Sequence, residues 1–370
     1  MDNPRLSVPR FPVPNWPIVP VLPALALLLA TFDLSIGLSP DSVRYLEAAE
    51  NFRRTGALGE QFLLWPPLYP ALLSLHPDAT TWAALIARLG AFATVLGLWA
   101  IGRQVIVSRL ALTLGLFAFA CFPHFTMVFG HVWSETVYIP LTVWLAYFWT
   151  RWLDGGRGLI AACVLLAFAM LTRHVGVVMA IAMGTTAMLD RRRLKALALI
   201  GLASFPYALW VARTYRISGT YAGPRAPLPN SDVFQQLEMF GRVFSHWLVP
   251  HVYPLSGGVI VAFAFLLLFS ACLVRFYRQR QTALLFATLF VLGHSVLTIY
   301  SASRLTLDVN ARTLFPIVWA VLLVGLWLAE KAIGRLAGVN ARLEPWVYIA
   351  VGFYCLFWFS APNTLIDALI

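Results

Sequence analysis

Apolar runs separated by short polar breaks dominate the chain, and they set the expected architecture. Runs long enough to serve as membrane spans lie near 17–35, 79–102, 110–129, 136–150, 158–172, 175–189, 194–212, 255–274, 281–300, 313–329 and 345–361. Backbone groups inside lipid must be paired within their own segment, so these spans are expected to be helices. The pattern predicts an all-α, polytopic transmembrane bundle of about eleven spans in one domain covering 1–370, with no separate soluble domain. Segments 158–172 and 175–189 are short, and Thr172-Arg173-His174 between them reads either as a tight turn at membrane level or as part of one long helix. Residues 68–75, led by Pro66, Pro67 and Pro70, are too few to cross and predict an interfacial or dipping segment.

Two long polar loops stand out, 36–78 and 213–254. In the first, Asp41, Tyr45, Ala48 and Phe52 recur at helical spacing, which puts the carboxylate on the less polar face of a short amphipathic helix. Pro40 suits its first turn, and Asp41 gains from the helix dipole. Arg44, Glu47, Glu50 and Arg54 take the other side, where they can pair along the helix. In the second loop, Val233, Leu237, Phe240, Phe244, Trp247 and Leu248 predict another interfacial helix, a surface anchor with Trp247 at headgroup level. Arg225, Arg242, His246 and His251 decorate the same loop.

Composition agrees with the pattern: 60% of residues are hydrophobic and only 12% charged, outside the soluble range. The net charge of +11 is mainly a topology signal. With the N-terminus inside, Arg5, Arg10, Arg103, Arg109, Arg151, Arg157, Arg191, Arg192, Arg193, Lys195, Arg275, Arg278, Arg280, Lys331, Arg335 and Arg342 are cytoplasmic. Those are sixteen of the 27 basic residues, packed into short loops, and anionic lipid headgroups are their expected partners. Most acidic residues then face outward. Nucleic acid is a poor alternative partner, because the basic residues are scattered by the spans. The first apolar stretch, preceded by Arg5 and Arg10, reads as an uncleaved signal anchor. Cys121, Cys163, Cys272 and Cys355 fall in apolar helices and read as small core residues.

Candidate chemistry collects at the outer ends of spans. His131, Ser134 and Glu135 form one group, Arg173 and His174 a second, and Ser303, Arg304, Asp308 and Arg312 a third. Charged groups at such depth are costly unless paired or used, so together with Asp41 they predict one shared cavity. A carboxylate held at the membrane surface, Asp41 is the candidate general base. The i, i+4 spacing of Asp308 and Arg312 also allows a pair that merely stabilises a helix end. No His/Glu spacing is diagnostic of a metal, so no cofactor is firmly expected and a divalent metal stays possible. Trp65, Tyr69, Trp133 and Tyr138 fit either a sugar platform or an interfacial aromatic belt.

The order Asp41-Ser42-x-x-Tyr45, Ala48-Ala49, Gly56, Pro66-Pro67-Leu68-Tyr69-Pro70, Ser134-Glu135 opening a span, Thr172-Arg173, and Asp308 with Arg312 before Pro316 resembles the GT-C superfamily of integral membrane glycosyltransferases. More narrowly it is similar to the protein mannosyltransferase-like, aminoarabinose transferase-like and RgtA/B/C/D-like branch. Many of those relatives pair two acidic residues where this chain has Asp41-Ser42, and many carry a soluble extracytoplasmic C-terminal domain that is not seen here. The resemblance implies transfer of a sugar from a polyprenyl-phosphate donor to a lipid, glycan or protein acceptor, at the extracytoplasmic face of the inner (plasma) membrane. The chain has no Gly-rich phosphate loop for a nucleotide sugar, so a lipid-borne donor also fits the residues. Asp41 would be the base, and a single attack at the anomeric carbon inverts it. Arg44, Arg173, Arg304 and Arg312 would hold the donor phosphate. Tyr45, His131, Glu135, His174 and Asp308 would position the acceptor or support the charged residues. A polymerase or ligase of lipid-linked glycans, or a lipid or sugar transporter or flippase, is the alternative.

Overall fold

The computed structural model describes residues 18–31, 36–59, 62–221, 223–224, 232–248, 257–305 and 309–339. The expected eleventh span at 345–361, together with Asp308, Arg225, His251 and Cys355, lies outside the described residues. Fifteen α-helices follow one another: α1 (Leu22–Thr31), α2 (Pro40–Thr55), α3 (Leu68–Leu73), α4 (Ala79–Val105), α5 (Arg109–Cys121), α6 (Pro123–Phe129), α7 (Glu135–Leu153), α8 (Leu159–Thr172), α9 (Val177–Ala187), α10 (Arg193–Ser218), α11 (Val233–Leu248), α12 (Gly258–Gln279), α13 (Thr282–Arg304), α14 (Ala311–Leu314) and α15 (Val318–Val339). Among the described residues there is no strand, only one isolated bridge between Gly37 and His131. Helices or helix pairs stand at the other ten expected segments. Five are long and apolar enough to cross a membrane, or six if α5 and α6, bent by 57° at Phe122, are one span. Pro123 opens α6 and accounts for the break.

Local signals place the helix ends. Asp78 caps α4, its carboxylate accepting from the Thr80 and Thr81 amides, and Ser108 caps α5. α8 and α9 are joined by the extended Arg173 and a 3-10 turn, His174–Gly176, so the two segments form a turn and not one long helix. α9 returns to the end from which α8 started. Trp149, near the end of α7, donates to Thr186 of α9 at 2.8 Å, and Gly158, ahead of α8, lies against the Phe148 carbonyl. With 14 residues, α8 rises only about 21 Å, against about 30 Å of hydrocarbon. Arg173, which meets Glu135 at the start of α7, is therefore held short of the end of the bundle where α4 begins.

The far end of the bundle is closed by polar links between connecting segments. Thr282 donates to Asp154 at 2.9 Å, Arg192 to the Trp152 carbonyl at 2.8 Å, and Glu330 accepts from the Val107 and Ser108 amides. Arg103, Arg151, Arg192, Arg275 and Lys331 lie over aromatic rings at this end. The basic loops thus gather opposite the end that carries Asp41.

α4 and α7 cross with the backbones in contact. A Cβ at Gly90 would run into the carbonyl oxygen of Thr136, and one at Gly97 would meet Val143 and Trp144. Gly90→Ala is expected to force the helices apart at a cost of about 1–3 kcal/mol, read as a lower thermal midpoint in detergent. An unchanged midpoint would show that the crossing has slack. α11 departs from its expected role as a surface anchor: Gln236, Leu237, Phe240, Val243, Phe244 and Trp247 are buried. Gly241 lies against the Gly258 backbone of α12, Phe240 and Phe244 stack with Phe265, and Trp247 meets Phe122. The apolar stripe has found protein, which a single sequence cannot distinguish from lipid.

Candidate functional site

The site begins with the start of α2. Ser39 and Ser42 form a reciprocal cap, the Ser42 amide donating to Ser39 Oγ and the Ser39 amide to Ser42 Oγ, with Pro40 at the first helical position. Tyr45, Ala48 and Ala49 turn inward, and Gly56 ends the helix at φ 71°. The expected face is present, although the ion pair along its outer side joins Glu50 to Arg53 and not to Arg54. Trp133 Nε1 donates to Ser39 Oγ at 2.8 Å, which ties this first turn to the segment before α7. Backbone bonds from Gly37 to the Gly130 carbonyl and from Val132 to the Gly37 carbonyl add a second tie. A Cβ at Gly37 would meet the His131 ring at 2.6 Å, so a larger residue there would have to displace that ring.

Four charged side chains from distant parts of the chain then meet. Arg312 donates through Nη1 to Asp41 Oδ2 at 2.7 Å and through Nε to Glu135 Oε1 at 2.7 Å. Arg173 reaches the same Glu135 oxygen with Nη1 at 2.6 Å, and Ser134 Oγ at 3.2 Å. Ser134 donates to Glu135 Oε2 at 3.3 Å and accepts from the Tyr45 hydroxyl at 3.2 Å. Burial raises the Tyr45 phenol well above its ordinary value, more than the pull of Arg173 lowers it, so Tyr45 is a fixed proton donor in this chain of bonds. Trp133 supports the Arg312 guanidinium from one face, with 4.1 Å from Cζ to the ring centroid. The Arg312 turn is itself held: Asn310 and Thr313 form a capping box, and His294, buried in α13, bonds through Nε2 to the Thr313 carbonyl at 2.9 Å.

Exposure separates the two carboxylates. The Glu135 side chain is 0% exposed and that of Asp41 34%, with Arg173 at 20% and Arg312 at 19%. Two negative and two positive groups balance, which is what makes ions at this depth tolerable. Glu135 is the internal anchor; Asp41 is the carboxylate open to solvent.

The remaining sequence candidates among the described residues lie outside this network. Arg44 is exposed on α2, 5.9 Å from the Trp65 ring centroid, and Arg304 is exposed at the end of α13. His131 stacks on Trp133 at 4.5 Å and is bonded through Nδ1 to the Met127 carbonyl, so it shapes the loop. His174 Nδ1 meets the Tyr207 hydroxyl at 2.9 Å. The helix-end pair imagined for Asp308 and Arg312 does not describe Arg312, because its helix starts only at Ala311 behind an extended Asn310. Tyr69 and Tyr138 are fully buried and Trp133 is under Arg312, leaving Trp65, half-buried beside Tyr45, as the accessible aromatic of the four. Among the described residues no three His, Cys, Asp or Glu side chains lie together as a metal site. Sequence reasoning missed His294 and Asn310; the spacing of Asn310 and Thr313 is the one signal that marked a helix start there.

Known proteins share this fold. The family model for dolichyl-phosphate-mannose-protein mannosyltransferase matches residues 66–212, a segment that holds Glu135 and Arg173 but not Asp41 or Arg312. The crystal structure of ArnT from Cupriavidus metallidurans bound to undecaprenyl phosphate is 16% identical, with a TM-score of 0.54 over 88% of this chain and 63% of that one. Its apo form is 14% identical, with a TM-score of 0.55 over 89% and 64%. The Archaeoglobus fulgidus oligosaccharyltransferase, in complex with Zn and sulfate, is 13% identical, with a TM-score of 0.50 over 93% and 52%. The chain thus spans less than two thirds of the length of these proteins. No curated protein sequence matches it. The helical architecture, the matched segment and the likeness to both enzymes agree: this multi-pass membrane protein has the fold of the GT-C superfamily of integral membrane glycosyltransferases.

Proposed function

We propose that the protein is a glycosyltransferase that moves a sugar from a polyprenyl-phosphate donor to an acceptor hydroxyl at the extracytoplasmic face of the plasma membrane, with inversion. The observation that carries this reading is the meeting of a reachable carboxylate, Asp41, with two arginines anchored on a buried one, Glu135. The acceptor oxygen attacks the anomeric carbon, its proton passes to Asp41, and the bond to the phosphate oxygen breaks with the electron pair leaving on the phosphate. Arg312 and Arg173 meet the charge that grows there, because guanidinium forks match phosphate and stay charged in a poorly solvated site. Undecaprenyl phosphate in the ArnT structure supports a ligand of this class. The lipid chain brings the donor to the depth at which Arg173 lies.

The deciding assay supplies the purified protein, in lipid nanodiscs, with a synthetic polyprenyl-phosphate monosaccharide and an acceptor extract, and follows release of polyprenyl phosphate. Release with sugar transfer is expected; transbilayer movement of an intact donor would mark a flippase, and consumption only of oligosaccharide-loaded lipid a ligase or polymerase. Arg312→Lys is expected to lower turnover or donor affinity by about tenfold or more, since one ammonium cannot span Asp41 and Glu135 nor offer a fork to phosphate. Unchanged kinetics would return Arg312 to a structural role and leave Arg173 as the phosphate ligand. Orientation is tested by cysteine labelling in intact cells: Ala57→Cys, exposed after α2, is expected to react with an impermeant maleimide, whereas Arg191→Cys, exposed among the basic residues, is protected until the membrane is opened. The opposite pattern would put the site on the cytoplasmic side.

A further inference from the structure

The geometry poses a question for the candidate base, since the Oδ2 atom of Asp41 already accepts from a guanidinium at 2.7 Å. The contacts of Arg312 are unequal. Glu135 takes its Nε, is fully buried, and is held in place by Arg173 and Ser134 as well. Trp133 fixes the guanidinium plane from one face. Asp41 touches only Nη1, is a third exposed, and stands on a helix whose outer face is open to solvent. The four side chains are also electrically balanced, so a phosphodiester entering this poorly solvated space adds one uncompensated negative charge. The carboxylate that can leave for water is Asp41; Glu135 has nowhere to go.

We propose that Arg312 changes partners during the reaction: Glu135 is its permanent partner and positions it, and the donor phosphate takes the place of Asp41, so that the base is released only when the donor is seated. The proposal rests on the donor reading above. Freed from the Nη1 atom, the Asp41 carboxylate has an oxygen available for the acceptor proton. After transfer the proton sits on Asp41, and the leaving polyprenyl phosphate carries the electron pair of the broken bond. Loss of that proton to water restores the carboxylate, which can then displace the product from Arg312. The donor therefore binds before the acceptor is activated, because Asp41 Oδ2 is not offered to an acceptor hydroxyl while it accepts from Arg312.

The test is carbodiimide labelling of carboxyl groups with an amine nucleophile, quantified by mass spectrometry at Asp41 and Glu135, on the full chain in detergent with and without polyprenyl phosphate. Binding of the lipid is measured in the same samples by native mass spectrometry. Saturating lipid is expected to raise labelling of Asp41 by at least about threefold by shifting it to its unpaired state, while Glu135 stays at background. Arg312→Leu is expected to give high Asp41 labelling without lipid and no further rise with it. If lipid binds and Asp41 labelling is unchanged or falls, the exchange is wrong and the donor reading stands. If no lipid binds, the donor reading fails and the exchange falls with it.

Discussion

Asp41→Asn is expected to lower transfer by about 10²–10⁴-fold, the usual contribution of a general base, while leaving a folded protein that binds polyprenyl phosphate at least as tightly as the native chain. Asparagine keeps the shape of the side chain and can still accept from Arg312, but it has no carboxylate to take the acceptor proton. The loss falls on chemistry and not on folding, because the Asp41–Arg312 contact is a third exposed on its acidic side and Arg312 retains Glu135; such a pair is worth up to about 1 kcal/mol. The measurement is single-turnover release of polyprenyl phosphate beside a thermal midpoint. Residual turnover above roughly a tenth of the native rate would remove Asp41 from the role of base.

Glu135→Ala is expected to have the largest effect on stability of any single change at this site. It leaves Arg173 and Arg312 without their common, fully buried anion, where each guanidinium is only about a fifth exposed, and breaking a buried ion pair from one side costs about 3–5 kcal/mol. A lowered thermal midpoint in detergent reads this directly. Adding Arg173→Leu to Glu135→Ala should recover part of the loss, since one of the two stranded cations is gone, and the non-additivity of the pair is the signature of their contact. Additive effects would mean that the two residues do not share a buried interaction.

Much of this architecture was legible because it depends on local patterning. Apolar runs located ten segments that are helices or helix pairs, the residues around Asp41 marked a capped amphipathic helix with its acidic residue turned toward the protein, and Pro66 to Pro70 marked the short helix before α4. What was not legible lies at long range. Arg312 meets residues 177 and 271 positions away, and no spacing rule reports such pairs. Spacing offered Arg312 only a neighbour, Asp308 four residues before it, which lies outside the described residues, whereas the partners that meet Arg312 are far away in the sequence. The role of α11 was lost for a related reason: an amphipathic stripe states that something apolar covers it, not whether the cover is lipid or a neighbouring helix. Glu135 was recognised as a site residue, but its fully buried position between two arginines is a property of packing.

The wide separation of Asp41, Glu135, Arg173 and Arg312 along the chain has a consequence for biogenesis. Helices enter the membrane in the order of synthesis, so Glu135 and Arg173, which pair in the finished fold, are both present once α7 to α9 have been made. Arg312 arrives only after α10 to α13 have been inserted and α14 has been wedged beneath α13 by its bond to His294. Until then Asp41 lacks the guanidinium that meets it in the finished fold. Closure of the four-residue network is thereby tied to completion of the bundle, so that the arrival of Arg312 at Asp41 during synthesis would report how far insertion has progressed.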